Sequence, residues 1–532
     1  MGKNFLKSSL QNASFNIIFQ LLFRVVTFLL NAFVLRNISQ AVVGVMNVRL
    51  LLLESTILFL SREAFRRACL SKTTEHNWPQ VVNLIWLTVP LCAVLSILFG
   101  WIWLNALTTP EEHITTHYAI GVWSICISCM MEMCIEPIYL VSQAFLFVKL
   151  KVLLETLHVV VRTVTFTSLV LWKPSAAVLA FSVAQVLAVA VFCLAYIIYF
   201  HHFIKTKSPS EDFPFSSLKD FLPKRIENED LVDLRLCVLT WSFLKQGILK
   251  QVLTEGERYI MTLFSVLTFY EQGIYDVVNN LGSLAARFIF RPVEESSYFY
   301  FSQLVHRDKS IKEQNEEQMK EAATVLKQLL RCMSSLGLLI VCFGQSYSRL
   351  LLMLYGGQTL ADNLGTLLLR THCFAVLLLG LNGISECYAL ATMSASQLDR
   401  YNYVMVFLSV GFLFFSLIFT YVLGSVGFII ANCGNMLARI FHSLKFIKKR
   451  YTGTQYDPVK GIVPGKWYLL AVATSGLVTI MSENIYYENS KIYHFFIGTI
   501  CFLVTVAVWI FEEKSWVLYS YKSIRRHSLK LE

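Results

Sequence analysis

Long apolar segments recur along nearly the whole chain and are separated by short polar stretches. Each segment is long enough for a helix to cross a hydrocarbon core of about 30 Å. Alternating segments of about ten residues, typical of a transmembrane barrel, are not seen. The pattern predicts an all-α polytopic membrane protein with fourteen transmembrane helices, at residues 14–36, 41–62, 80–105, 116–143, 150–172, 175–200, 234–263, 268–302, 320–346, 361–391, 403–422, 424–446, 467–485 and 492–511.

The longest polar stretch divides the predicted helices into two groups and suggests two lobes. Its charges are mixed, which favours a solvated cytosolic connector. The predicted organisation is an N-lobe with six helices, a linker, a C-lobe with six helices, and a last helix pair with a cytosolic tail, at residues 1–202, 203–233, 234–450 and 451–532.

Two short internal echoes indicate that the lobes arose by duplication. GVMNV at 44–48 resembles GIYDV at 273–277, and EPIYL at 136–140 resembles ECYAL at 386–390. Because six spans per copy is an even number, the copies are expected to cross the membrane in the same direction, related by an axis along its normal. A substrate cavity is then expected between them.

Composition and charge support this assignment and indicate the sidedness. With 55% hydrophobic and 15% charged residues and a mean hydropathy of +0.56, the chain is too apolar for a water-soluble protein. Lysine and arginine collect at the N-terminus, at 62–72, at 148–151, at 445–450 and in the tail, whereas TTPEEHITTH at 108–117 has acids and no bases. Short cytosolic loops retain basic residues, so both termini are predicted to be cytosolic. This distribution accounts for the net charge of +11 without nucleic-acid binding.

The cysteines give no sign of a metal, redox or cofactor site. Most of the thirteen lie inside apolar runs. Cys126 and Cys129 form a C-x-x-C, but no second pair or histidine accompanies them, so they are interpreted as core residues. No catalytic residue, metal or cofactor is predicted.

Polar residues inside the predicted spans are the candidate functional residues. Arg24 lies on one stripe of the first span with Gln20, Thr27 and Asn31, and Arg287 shares a face with Asn280. Arginine is unfavourable near the bilayer centre, so Arg24 and Arg287 are expected to line a cavity, with ion pairing, for example to Glu257, as the alternative.

Other arginines lie closer to helix ends. Arg66 and Arg67 are equally well explained as topology determinants, and Glu63 is spaced to pair with Arg67. Arg439 is intermediate between the arginines expected to line a cavity and those explained by membrane topology.

Arginine-rich intramembrane positions with few acids suit an anionic headgroup, because guanidinium matches phosphate with a fork of donors. Asparagine, serine and threonine on the same stripes suit sugar hydroxyls. A phosphorylated glycolipid satisfies both. The predicted substrate-binding residues are Arg24, Asn31, Arg36, Arg62, Arg66, Glu257, Arg258, Asn280, Arg287 and Arg439.

Several long strings resemble the eukaryotic Rft family, the oligosaccharide-diphosphodolichol translocation proteins of the endoplasmic reticulum. They are REAFRRACLS, EGERYIM, YDVVNNLGSLAAR, EPIY and the run from ISEC to DRYN, at 62–71, 255–261, 275–287, 136–139 and 384–402. The family is similar to the MOP exporter superfamily of multidrug exporters and the bacterial lipid II flippase. The resemblance implies two six-helix lobes in a pseudo-twofold arrangement plus two C-terminal helices.

The resemblance also implies a substrate, a compartment and a set of residues. The substrate is dolichol diphosphate bearing five mannoses and two N-acetylglucosamines, which crosses the endoplasmic reticulum membrane for protein N-glycosylation. The matching strings carry the family positions Arg62, Glu63, Arg66, Arg67, Glu257, Arg258, Asn279, Asn280 and Arg287. Arg291, in FRPVEES, departs from the family pattern and is expected to be peripheral.

Four functions are compared. A translocator working by alternating access, with arginines binding the diphosphate, is favoured, and a non-transporting protein that binds or hands over this lipid is the alternative. A glycosyltransferase is disfavoured because the loop between the first two spans, about NISQ, is too short to carry the acidic residues of a catalytic site. A cation-coupled drug antiporter would depend on intramembrane acids. The expected partners are the glycolipid and membrane lipids, and a monomer is expected.

Overall fold

The computed structural model describes residues 28–71, 76–206, 213–226, 230–307 and 313–514. All regular structure in these ranges is helical, with no strand. Ten of the helices are long and apolar enough to cross a membrane. These features confirm the all-α, multi-pass prediction.

Contacts divide the chain into two compact units, residues 1–273 and 274–532, with the boundary inside one helix. The first unit holds a helix at residues 28–35 (α1) and then α2 to α8, which are Gln40–Cys69, Trp78–Asn105, Glu112–Ala144, Val148–Trp172, Ala177–Thr206, Leu234–Thr254 and Gly256–Leu263. Helix α9, Phe269–Gly282, contains the boundary. The second unit holds α10 to α16, which are Arg291–Leu304, Glu316–Gly356, Asn363–Thr392, Ala395–Leu423, Val426–Arg450, Lys466–Tyr486 and Lys491–Glu512.

The predicted spans and the helices agree best where the chain is most apolar. The predicted span 234–263 is broken at Glu255 into α7 and α8, and the predicted span 268–302 is broken after Gly282. Neither of these segments, nor α14, is among the ten candidate membrane spans. The first predicted span lies mostly outside the described residues. Fourteen spans therefore stays a prediction, as do the lobe boundaries at 202, 233 and 450.

Two π-helical segments interrupt α2, at Val45–Leu50 and Phe59–Glu63. A π segment adds a residue to a turn and rotates the side chains that follow it, and such segments are frequent at functional sites. The two segments contain Arg49 and Arg62. A third, Ala286–Phe290, contains Arg287.

Two glycines of the first unit allow α2 and α9 to pack with their backbones in contact. A Cβ on Gly44 would clash with the carbonyl oxygen of Phe269, and a Cβ on Gly273 would clash with that of Gln40. These are the first residues of the GVMNV and GIYDV echoes. The equivalent glycines of the predicted repeat therefore meet each other, with Gly44 N 3.0 Å from the position of a Cβ on Gly273.

The expectation of a solvated connector is incomplete for residues 213–226, in which exposed side chains such as Lys219 and Arg225 alternate with buried aromatic rings. Phe213, Phe215 and Phe221 are buried, and they pack in one aromatic cluster with Phe145, which directly follows α4, and Phe200 of α6. Burying three aromatic rings stabilises the docked segment, while Lys219, Lys224 and Arg225 remain exposed.

Side chains of α3 also hold the connector by hydrogen bonds to its backbone. Asn83 Nδ2 donates to the carbonyl oxygens of Lys224 and Leu231, both at 2.8 Å, and Asn83 Oδ1 accepts from Lys224 N at 2.9 Å. Trp86 Nε1 donates to Phe221 O at 2.7 Å. The connector is thus a packed part of the first unit.

The last two described helices, α15 and α16, are joined to α11 by polar contacts. Tyr347 OH donates to His494 O at 2.6 Å, and the two rings stack with centroids 4.2 Å apart. Tyr468 OH donates to Ser335 O at 2.6 Å. These bonds satisfy buried polar groups within an apolar environment, so the helix pair is an integral part of the second unit.

Candidate functional site

The predicted site residues Arg62 and Arg66 lie together near the end of α2, and each pairs with a carboxylate of α4. Arg62 Nη1 donates to Glu132, and Arg66 donates from Nε and Nη2 to the two oxygens of Glu136, the second bond measuring 2.7 Å. The acids are four residues apart, and so are the arginines. The two arginines are one helical turn apart on α2, and the two acids are one turn apart on α4. Each arginine therefore faces one acid across the contact between the two helices. These four residues are called the charge quartet.

Aromatic and charged side chains surround the quartet. The Arg66 guanidinium lies 4.2 Å from the centroid of the Tyr139 ring, and Tyr139 OH donates to Glu155 at 3.0 Å. The predicted pair of Glu63 and Arg67 is also formed, at 2.8 Å. Arg67 is thus held by its own helix, whereas Arg66 is held by α4 and positioned by a cation–π contact.

A second polar chain crosses the interior of the first unit. Gln185 Nε2 donates to Glu54 at 2.9 Å, and Gln185 Oε1 accepts from Arg162 at 3.2 Å. The side-chain amide of Gln185 therefore bridges the carboxylate of Glu54 and the guanidinium of Arg162.

Arg258 pairs with Glu255 at 3.1 Å, at the break between α7 and α8. Glu255 also accepts from Ser55 at 3.4 Å, and Gln251 donates to the same serine at 3.0 Å. Glu257, on the first turn of α8, is half-buried.

The first helix carries the remaining predicted residues of this unit. Asn31 is exposed on α1 and Arg36 is exposed just after it. Arg24 lies outside the described residues.

In the second unit, Asn280 and Arg287 are brought together. Arg287 Nη2 donates to the backbone oxygen and to Oδ1 of Asn280, at 2.9 and 3.2 Å, and its guanidinium also donates to Ser283. Asn280 Nδ2 donates to the buried Asp276 at 3.0 Å. The Arg287 side chain is exposed. The predicted polar face of this segment therefore forms a local hydrogen-bond network.

Arg439 of α14 pairs with Glu386 of α12. Its Nη2 donates to both carboxylate oxygens at 2.6 and 2.7 Å, and Asn382 donates to the same carboxylate at 3.0 Å. Glu386 belongs to the ECYAL echo of EPIYL, in which the corresponding acid is Glu136. Both echoed acids are therefore bound by an arginine.

The acids that accompany the arginines were not among the residues predicted from the sequence. Glu54, Glu132, Glu136, Glu386 and Glu483 lie within candidate membrane spans, and Glu483 receives two hydrogen bonds of 2.7 Å from Arg370. The spacing of Glu132 and Glu136, identical to that of Arg62 and Arg66, was the available signal. The expectation of few intramembrane acids was therefore incomplete.

One arginine outside the predicted set is fully buried. Arg49 Nη2 donates to Thr108 at 2.7 Å, and the guanidinium lies 5.1 Å from the ring centroid of Phe269. Among the described residues, no other side chain accepts from its Nε or Nη1.

A cleft of about 1560 Å³ opens beside the connector, lined among others by Asn83, Lys224, Arg225 and Asp230. None of the predicted site residues lines it. Within the described part of the chain, no group of three or more histidine, cysteine, aspartate or glutamate residues is arranged to hold a metal ion.

Solved structures with the same fold define the class of protein. An inward-closed lipid II flippase MurJ aligns with a TM-score of 0.59 at 11% identity, over 93% of this chain and 99% of that one. An inward-facing multidrug resistance MATE family transporter of the MOP superfamily aligns with a TM-score of 0.53 at 12% identity, over 80% and 95%. The chain thus has the fold of these membrane transporters.

The family follows from sequence. The model of the Rft protein family matches residues 8–523, and the chain belongs to this family. Three relatives named "Man(5)GlcNAc(2)-PP-dolichol translocation protein RFT1" cover nearly all of it. That of Xenopus tropicalis is 44% identical over 97% of this chain and 96% of its own length, that of Drosophila melanogaster 43% over the whole of both, and that of Mus musculus 41% over 97% of each.

Proposed function

We propose that this protein moves the dolichol-diphosphate heptasaccharide Man5GlcNAc2 from the cytosolic to the lumenal leaflet of the endoplasmic reticulum membrane for protein N-glycosylation. The observation that carries the proposal is the end-to-end match, at 41% to 44% identity, to three relatives named for translocation of this lipid. The mechanism is transport without covalent chemistry.

The proposed architecture is fourteen spans in two six-helix lobes with two further helices, with both termini in the cytosol, acting as a monomer. Rocking of the lobes exposes the headgroup site to one side and then the other, while the dolichol tail stays in lipid. The fold shared with MurJ and a MATE transporter supports this arrangement.

Arginines of both lobes bind the diphosphate in this proposal: Arg24, Arg36, Arg62, Arg66, Arg258, Arg287 and Arg439. Asn31 and Asn280 hold sugar hydroxyls, and Glu257 sets the local charge beside Arg258. The exposed guanidinium of Arg287, held by Asn280 and Ser283, supports its role because it is oriented before any ligand arrives.

Rescue of glycosylation in cells depleted of their own Rft protein tests the proposal. The wild-type chain is expected to restore full N-glycan occupancy and to clear accumulated Man5GlcNAc2 lipid. Arg287→Ala is expected to leave that lipid accumulated at equal expression, because one phosphate-binding fork is lost. The control is Arg349→Ala, which removes an arginine that pairs with Glu488 at 2.7 Å and is not assigned to the site.

Failure of the wild-type chain to rescue would contradict the function. Normal rescue by Arg287→Ala would contradict the assignment of this arginine alone.

A further inference from the structure

The two arginines of the charge quartet are already bound by carboxylates. The inference drawn from this rests on the proposed function, in which these arginines bind the diphosphate. Arg66 is bound by both oxygens of Glu136, whereas Arg62 makes a single hydrogen bond to Glu132 and lies 3.9 Å from Glu136. Two guanidinium groups and two carboxylates give the quartet a net charge of zero. A ligand that binds these arginines must replace carboxylates.

The exposure of the four side chains shows where replacement is easiest. The side chains of Arg62 and Arg66 are 19% and 18% exposed, and that of Glu132 is 13% exposed, whereas that of Glu136 is 1% exposed. Glu132 is therefore the acid that an incoming anion meets. Glu136 is the buried acid that fixes the pair of helices.

Arg66 has an aromatic contact in addition to its carboxylate partner. Tyr139 holds the guanidinium at 4.2 Å by a cation–π interaction that does not depend on Glu136. Tyr139 is itself fixed by its hydrogen bond to Glu155 at 3.0 Å. Arg66 thus keeps its position when its carboxylate partner weakens its hold.

Charge then decides which lipid headgroup succeeds. A phosphodiester headgroup with one negative charge replaces a carboxylate of the same charge and gains nothing in Coulomb energy. A diphosphate esterified at both ends carries two negative charges next to each other and interacts with both arginines at once. Bare arginines at a membrane surface would instead bind the abundant anionic phospholipids.

We propose that Glu132 and Glu136 determine headgroup specificity, by keeping Arg62 and Arg66 occupied against singly charged phospholipids so that a diphosphate lipid is selected. This is specificity by a built-in competitor, in which unwanted ligands are penalised more than the intended one. The two acids act through the arginines and do not themselves bind the phosphate.

Competition binding in nanodiscs tests the proposal. Wild type, Glu132→Gln and Glu132→Gln/Glu136→Gln are compared for binding of a polyprenyl diphosphate that bears N-acetylglucosamine, so that its diphosphate is esterified at both ends, and of phosphatidylinositol, which carries one negative charge. Glutamine keeps the shape and removes the charge, so phosphatidylinositol binding is expected to rise, and the preference for diphosphate to fall about tenfold. Because loss of the buried acid weakens the fold, Glu132→Gln alone is the primary variant.

The matched control is Glu488→Gln. Glu488 pairs with Arg349 at 2.7 Å, and this arginine also lies 4.4 Å from an aromatic ring centroid, that of Tyr487. Its headgroup preference is expected to equal that of the wild type. A fall as large as that of Glu132→Gln would show a general effect of surface charge and overturn the proposal.

The remaining outcomes distinguish failure of the acid-based specificity from failure of the proposed function. If the wild type prefers diphosphate and Glu132→Gln keeps that preference unchanged, or binds both lipids less, the quartet is purely structural and the inference fails while the proposed function stands. If the wild type shows no preference for diphosphate, the arginine-based part of the proposed function fails as well.

Discussion

Arginines within the helices of this protein are held by specific partners. Arg66, Arg370 and Arg439 each make two hydrogen bonds to one carboxylate on a neighbouring helix. In an apolar environment an unpaired charge is strongly unfavourable, and two-point hydrogen bonding offsets much of the desolvation. These pairs define which helices are neighbours and keep the guanidinium groups in fixed positions.

Arg66→Ala is expected to destabilise the protein by about 3 to 5 kcal/mol, because the buried Glu136 would lose both of its short hydrogen bonds and keep only Arg62 at 3.9 Å. Arg67→Ala is the control, since it removes only an i,i+4 pair of half-exposed side chains, worth about 0.3 to 0.5 kcal/mol. Thermal unfolding in detergent compares the two. Equal melting temperatures for both variants would show that the Arg66–Glu136 pair does not stabilise the fold.

The sequence predicted the arginines better than their partners. The pattern along one helix shows that Arg62 and Arg66 share a face, and the pair of Glu63 and Arg67 follows from spacing alone. The partners Glu132 and Glu136 each lie 70 positions further along the chain. Nothing in the local pattern says that α4 packs beside the end of α2.

At the scale of elements, the connector shows how a polar sequence becomes part of a packed unit. The Asp220 carboxylate accepts from Ser216 N at 2.9 Å and Ser217 N at 2.8 Å, and it pairs with Lys224. Partial burial alone would raise the pKa of Asp220, but these hydrogen bonds lower it from 3.8 to about 2. The charged form thus stabilises the turn that positions Phe221.

Asp220→Asn is expected to loosen the docked connector, because the turn loses its charged acceptor, an effect of about 1 kcal/mol for a capping residue. Limited trypsin digestion at pH 7 measures the loosening as faster cleavage at Lys224 and Arg225. Asp457→Asn, in a loop of the second unit, is the control.

The pH dependence has a defined sign. Because the folded-state pKa is depressed, the stabilisation is complete above about pH 4 and is lost as the pH falls towards 2. Docking in the wild type is therefore expected to be constant between pH 5 and pH 8. Identical cleavage of wild type and Asp220→Asn would contradict this account of the turn.

Gly273→Ala is expected to destabilise the protein by about 1 to 3 kcal/mol, because its methyl group would overlap the backbone of Gln40 at the crossing of α2 and α9. Gly411→Ala is the control, since beyond the adjacent backbone of its own helix no described heavy atom lies within 4 Å of a Cβ there, and it is expected to be neutral or stabilising by up to about 1 kcal/mol. Thermal unfolding of both variants provides the measurement. A neutral Gly273→Ala would show that the crossing can relax.

Hydrophobic pattern predicted the most apolar helices and failed at the mixed ones. Long runs such as those of α3 and α6 leave no other solution than a membrane helix. The segments around 255 and 282 alternate short apolar runs with charged and glycine residues, so each of the two predicted spans that contain them is broken into shorter helices. The packing of Phe213 and Phe215 was missed because charges of residues around them dominate the local composition.

For the whole molecule, the chain belongs to the Rft protein family and shares its fold with the lipid II flippase MurJ. The all-α membrane class and the family were predictable, because they depend on composition and on long strings of residues. The unit boundary at Gly273 and Ile274 was not, because it depends on contacts between distant segments. The boundary between the two units therefore reflects which segments contact each other and does not coincide with a polar stretch of the sequence.

The central claim, that this protein itself carries a diphosphate-linked glycan across a membrane, is tested most directly in sealed vesicles containing purified protein and Man5GlcNAc2 diphosphodolichol. A membrane-impermeant reagent for the glycan reports the share of lipid on the outer leaflet over time. If the protein translocates the lipid, the glycan on the inner leaflet is expected to become accessible as well, in proportion to the fraction of vesicles that contain protein. Accessibility equal to that of protein-free vesicles, with the lipid still bound by the protein, would contradict translocation and favour a handover protein.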